Sequence, residues 1–144
     1  MNVNYFLIAT CIITAIVSLS IGSSWSTIAT IGIALLAIGK VLAVPAEITA
    51  GAIISGSYFG DKMSPLSDTT NLASAVTESD IFEHIKYMSY TTIPSFAITL
   101  VIFFIIGLNY ENSSLEDLSN IQQTLEQTFN INPLILLTPL LVIF

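Results

Sequence analysis

The sequence predicts an all-α integral membrane protein with several transmembrane helices, among them discontinuous or re-entrant ones. Three observations lead there. Of the 144 residues, 53% are hydrophobic and 9% charged, where ordinary soluble domains carry roughly a quarter charged residues; mean hydropathy is +0.84. The apolar residues fall into long runs without a charge. Between those runs lies one dense polar stretch, GDKMSPLSDTTNLA at 60–73, whose groups are costly away from water.

Charge and cysteine content narrow the class. Ten acids against three bases give a net charge of -7. Four of the acids (Glu111, Glu116, Asp117, Glu126) fall in one polar segment, and four more lie between Asp68 and Glu83. No basic face exists for a nucleic acid to bind. Cys11 is alone in an apolar run, so it forms no intramolecular disulfide and is expected to be a small buried hydrophobe. The N-terminal run lacks the positive n-region of a signal peptide and is long for an h-region, so it is expected to be retained.

Tyr5–Ile21 is a 17-residue run without a charge. As a helix it measures about 26 Å, just enough to cross a hydrocarbon core of roughly 30 Å. It stops at Gly22-Ser23-Ser24, and a second apolar run continues over 25–44. One straight helix through both would reach about 60 Å, so the chain turns or breaks near GSSWST. Two spans with a tight bend fit, and so does a re-entrant hairpin followed by a span. Pro45 limits the helix before it. AEITAGAIISGSYFG at 46–60 is rich in small residues, with Gly51, Gly56 and Gly60 permitting close backbone approach. It reads as a re-entrant or half helix.

Gly60 and the Ser64-Pro65 pair then break the chain. With Ser64 as N-cap and Pro65 at the first helical position, a second half helix would cover 66–76. Asp80 and Glu83 form a capping-box-like start to an amphipathic interfacial helix, with Ile81, Ile85 and Met88 on one face and His84 and Lys86 off it. Residues 93–108 read as an ordinary span. The polar segment 109–132 carries four acids and no base; the positive-inside bias places Lys86 in the cytoplasm and that segment outside. The sequon Asn112-Ser113-Ser114 fits an outside loop. The last run, 133–144, is about 18 Å as a helix, too short to span, and is expected to be a piece of a membrane helix in a longer chain.

The polar residues at 61–71 are the strongest functional candidates, since ionisable groups at membrane depth mark ion and proton pathways. Asp61 and Asp68 would share a face of an unbroken helix, but Pro65 argues for a broken one. Unwound carbonyls, Asp68, the Thr69 and Thr70 hydroxyls and the Asn71 amide then make an oxygen-rich cage. Hard monovalent cations want such a cage, and transporters build it at discontinuous helices. The alternative is a solvated loop between two spans, with Asp61 and Lys62 as surface charges. A softer cluster, Ser23 to Thr27 with Thr30 and Gly32, either bonds its own backbone or lines the same cavity. Glu47 is an interfacial charge or a third buried carboxylate, Lys40 snorkels to an interface, and His84 is solvated. No metal-ligand spacing, phosphate loop or nucleophile elbow occurs. Neither an enzyme nor a cofactor is expected.

The segments SGSYFGDKMSPLSDTTNLASA (55–75), GSSWSTIATIGIALLAIG (22–39) and FEHIKYMSYTTIPSF (82–96) closely resemble, in order and spacing, the signature stretches of the NhaC family of sodium/proton antiporters. The resemblance implies that residues 1–144 are part of the membrane transport domain of a longer antiporter with a secondary-transporter fold. It further implies a multi-pass protein in the cytoplasmic membrane that exchanges Na+ for H+ and is completed by the remaining half of the parent chain. Some members couple the exchange to organic acids such as malate and lactate. By position, Asp61, Ser64, Asp68, Thr69, Thr70 and Asn71 match the signature, and Ser24 and Thr27 match the earlier stretch.

Within that set Asp68, with Thr69 and Asn71 beside it, is the expected Na+ site, and Asp61, held by Lys62, is the second carboxylate. Burial and a like charge both disfavour an ionised carboxylate, so Na+ and H+ would be alternative occupants. Two other readings stand beside this one. One is an exchanger of organic acids coupled to protons or sodium, for which the segment offers only Lys40, Lys62 and Lys86 as cations. The other is a small accessory membrane protein without transport activity. Asp68→Asn in the full-length protein is expected to abolish exchange with membrane insertion intact; retained exchange with unchanged Na+ dependence would remove Asp68 from the site.

Overall fold

The computed structural model describes residues 3–108, and every element in them is helical. Helix α1 (Val3–Ile21) is followed by α2 (Ser24–Thr27), a π-helical turn (Ile28–Gly32) and α3 (Ile33–Val41), which run on as one helical stretch. Helices α4 (Ala46–Met63), α5 (Asp68–Val76) and α6 (Ile81–Leu108) complete the order. The polar segment 109–132 with its sequon at Asn112, and the final run 133–144, lie outside the described residues.

The turn demanded by the length of the first two apolar runs sits at Gly22-Ser23. Gly22 takes φ +75, a left-handed conformation that favours glycine, and its N–H closes on the Ser18 carbonyl at 2.7 Å. Ser23 then caps α2, its hydroxyl accepting from the Ser26 N–H. The two runs are therefore separate helices of 19 and 18 residues, each about 27–28 Å long. Ser24–Val41 and Ile81–Leu108 are long and apolar enough to cross a membrane.

Helix α4 is longer than the half helix expected. Its 18 residues run unbroken through Gly51, Gly56 and Gly60, because two of these glycines are pressed against α1 instead of interrupting the helix. A Cβ on Gly56 would collide with the Cys11 carbonyl and the Thr14 hydroxyl, and one on Gly60 with the Ala15 carbonyl. Ala52, Gly56 and Gly60 thus form a small-residue face at a period of four, which lets two backbones touch where apolar lipid supplies no hydrophobic drive to associate. Ser18 crosses the seam, its hydroxyl donating to the Ser57 carbonyl at 2.6 Å. Cys11 is fully buried in this seam and free.

Two boundaries differ from the sequence reading. Ser64 does not cap the second half helix: its hydroxyl accepts from the Leu66 N–H within the turn, and Ser67 is the N-cap of α5, accepting from Thr70 N–H. Placing the cap two residues after Pro65 lets the turn close before the helix begins. The interfacial helix and the following span are likewise not separate, since α6 is one 28-residue helix with Pro94 inside it. Asp80 does open it, its carboxylate accepting from the Phe82 and Glu83 N–H groups. Pro94 offers no N–H to the Tyr90 carbonyl one turn back, yet the helix runs on through it; nearby, Thr91 and Thr92 donate to the Met88 carbonyl, and Ser95 to that of Thr91.

Helix α6 packs on α4 through Phe59 and Phe96, stacked at 4.0 Å between ring centroids. Its other face leaves Ile93, Ile98, Val101, Ile102 and Ile105 exposed, as a lipid-facing helix requires. Glu47 is exposed in the first turn of α4, where the helix dipole favours an acid. Lys40 is exposed near the end of α3, and His84 is half-buried.

The glycine contacts differ sharply along α4. A Cβ on Gly51 would meet only the tip of Phe103 at 3.7 Å, an ordinary contact. Gly60→Ala is therefore expected to destabilise the protein by about 1–3 kcal/mol or more through backbone overpacking, with Gly51→Ala close to neutral. Thermal unfolding of the full-length protein in detergent checks the contrast.

Candidate functional site

The two interruptions of helical structure meet. A Cβ on Gly22, in the first break, would lie 2.6 Å from the Leu66 carbonyl carbon, in the second. Where two breaks abut, the free peptide groups of both are concentrated in one place. Facing that junction are the first residue of α2, Ser24, and the last full turn of α4, which carries Asp61.

Asp61 is 7% exposed. Its Oδ2 accepts from the Ser24 hydroxyl at 2.9 Å, while its Oδ1 is buried with no hydrogen-bond partner. Ser24, not Lys62, holds this carboxylate; no ion pair joins Asp61 to its neighbour. A buried carboxylate oxygen without a donor is costly, and two ligands relieve that cost directly: a proton or a cation.

The other sequence candidates divide into two groups. Ser64 and Thr70 are buried and stitch the α4–α5 turn, Ser64 by the bond to Leu66 N–H and Thr70 by donating to the Lys62 carbonyl at 3.5 Å. Thr27 is fully buried and spends its hydroxyl proton on the Ser23 carbonyl at 2.9 Å, the plain backbone use weighed from its position. Asp68, Thr69 and Asn71 are exposed on the first turn of α5. There the Asp68 carboxylate accepts from the Thr69 N–H at 2.8 Å, and the Thr69 hydroxyl bonds that of Ser67 at 2.9 Å. The Asn71 amide donates to the carbonyls of Pro65 and Ser67 at 2.8 and 2.7 Å, so it clamps the turn and leaves its own carbonyl oxygen for another partner. No hydrogen bond joins these three residues to Asp61. Among the described residues no three His, Cys, Asp or Glu side chains come together, so a cation at Asp61 would take its remaining ligands from hydroxyls and carbonyls.

The model of the Na+/H+ antiporter family matches residues 56–144, from the glycine face of α4 onward. The chain belongs to that family. It is 44% identical to an Na+/H+ antiporter NhaC of Alkalihalophilus pseudofirmus, over 96% of this chain and 30% of that protein. It is equally 44% identical to a malate-2H+/Na+-lactate antiporter of Bacillus subtilis, over 96% of this chain and 30% of the relative. An arginine/ornithine antiporter ArcD of Halobacterium salinarum is 44% identical over 90% of this chain and 27% of its own length. The chain thus spans less than a third of the curated relatives it matches. All three are named as transporters rather than enzymes, and with the apolar helices they make this a membrane protein. No solved structure matches the chain.

Ser57 and Ser18 were not among the sequence candidates, although Ser57 stands one helical turn before Asp61 on α4 and a period-four reading of Ser57 and Asp61 would have flagged it. Removing the donor that holds Asp61 is the local test of this geometry. Ser24→Ala is expected to lower stability by about 1.5–3 kcal/mol, the range for a hydrogen bond to a charged group. Ser26→Ala, at an exposed side chain, should change it by under about 0.5 kcal/mol. Thermal unfolding of both variants decides.

Proposed function

We propose that residues 1–144 form part of the membrane transport domain of a multi-pass Na+/H+ antiporter in the cytoplasmic membrane, with the rest of the domain supplied by the remainder of the full-length protein. The observation that carries this reading is the buried Asp61 carboxylate at the junction of two helix breaks, one oxygen held by Ser24 and the other without a partner. Family membership supports the same exchange.

The mechanism is competition. A proton and a Na+ ion satisfy the open oxygen of Asp61 in mutually exclusive ways, and alternating access carries whichever is bound. Asp68, Thr69 and Asn71, at the first turn of α5, are the Na+ ligands turned toward the part of the transporter that residues 3–108 do not contain; Ser64, Thr70 and Thr27 hold the two breaks in shape. Lys86 faces the cytoplasm. Residues 1–144 alone do not transport, because such sites are assembled between repeats.

The cargo has a second reading with its own support, since relatives at the same identity are named for malate and lactate and for arginine and ornithine. One experiment separates the two. Inside-out vesicles carrying the full-length protein hold an acid-inside pH gradient, and internal pH is followed as Na+ is added. Rapid alkalinisation by the wild type, lost in Asp61→Asn, is the expected result. Asp61→Asn vesicles that respond as fast as wild type would remove Asp61 from the mechanism. A response to malate or lactate and none to Na+ would make the organic-acid exchanger the better reading.

A further inference from the structure

Many serine and threonine hydroxyls in the described helices share one pattern. Thr14, Ser20, Thr27, Thr30, Thr49, Thr92, Ser95 and Thr99 each donate to a carbonyl one turn back, the usual recourse of Ser and Thr inside membrane helices. Ser57 does not. Its hydroxyl is fully buried and without a partner, although it lies on an unbroken stretch of α4 where the same recourse is open. The buried, unpartnered side-chain atoms among the described residues are three: Thr10 Oγ1, Ser57 Oγ and Asp61 Oδ1. Two of the three belong to residues four apart on one helix, and residues so spaced are neighbours on the helix surface, about 5–6 Å between Cβ atoms.

The surroundings of Ser57 are rigid. Gly56 and Gly60 flank it in sequence, and at both a Cβ would run into the backbone of α1. Ser18 pulls the Ser57 carbonyl toward α1 at 2.6 Å. Ser57 and Asp61 thus lie on the stretch of α4 whose backbone is pressed against α1.

We propose that Ser57 is a further cation ligand of the Asp61 site. This rests on the reading of Asp61 as the exchange site and deepens it. Two unpartnered oxygens of hard character, one charged and one neutral, suit a hard cation. A hydroxyl that withholds its proton from the backbone keeps its orientation free to turn a lone pair to the ion.

The test measures exchange by the full-length protein in proteoliposomes with Na+ as the added cation, for wild type, Ser57→Ala, Ser57→Cys and Asp61→Asn. Cysteine nearly preserves the volume of serine but offers a soft sulfur to a hard ion, so it decides the matter where alanine disturbs packing. Both Ser57 variants are expected to raise the KM for Na+ by about tenfold, the loss of one modest ligand, with maximal rate unchanged. An unchanged KM in Ser57→Cys overturns the assignment, as does a lowered maximal rate alone, which assigns Ser57 a packing role. Exchange that survives Asp61→Asn means the underlying reading has failed; exchange lost in Asp61→Asn but untouched in Ser57→Cys means that only the present inference has.

Discussion

The contact between the backbones of α1 and α4 is the constraint on which the rest of the described structure depends. Inside lipid, helices gain little from burying apolar surface against each other, and close packing has to supply the attraction. Gly56 and Gly60 remove the side chains that would hold α1 away. Once the two helices touch, the residues beyond Gly60 are carried to the end of α1, where Gly22 turns the chain. The second break then comes to rest on the first, Leu66 against Gly22, and Asp61 comes within reach of Ser24.

Polar chemistry follows from that packing instead of competing with it. The seam buries Thr10, Thr14, Ser18, Ser57 and Asp61, a set that would be unfavourable in a dry interior unless each atom found a partner. Thr14 and Ser18 find carbonyls, while Thr10, Ser57 and one Asp61 oxygen find no partner. Unsatisfied groups of this kind persist where the fold over-determines their position, and such places are commonly functional. The breaks serve the same end, since they set free peptide groups beside the one buried carboxylate of the described residues.

Much of this fold was legible in the sequence where a single local cause acts. The charge-free run ending at Ile21 and the Gly22-Ser23 pair located α1 and its turn, Pro45 limited the next helix, and Asp80 announced the start of α6. Cys11 is buried as its surroundings implied. Contacts between distant segments overrode local signals elsewhere. The stretch holding Gly51, Gly56 and Gly60 read as a re-entrant or half helix, yet the close approach its glycines permit is made by Gly56 and Gly60 against α1, and α4 stays whole. The stretch opened by Asp80 and the run 93–108 read as two elements, an interfacial helix and a span, yet α6 is one continuous helix. Ser64 and Ser67 are both competent N-caps, and turn closure at Pro65 decides between them.

The candidate site was legible as a list of residues but not as an arrangement. Pairing Ser24 with Asp61 needs a bond across 37 positions in sequence, and no periodicity reveals it. Ser57 was passed over because serine in an apolar stretch is ordinarily spent on its own backbone, although its spacing of four from Asp61 was there to read. The central claim is that a proton and a sodium ion compete for one buried carboxylate, and competition is measured most directly as the KM for Na+ of the full-length protein across a range of pH. The account predicts that KM rises as pH falls, approaching about tenfold per unit at its steepest by mass action, while the rate at saturating Na+ stays level. A KM indifferent to pH, with acid lowering only the maximal rate, would contradict it.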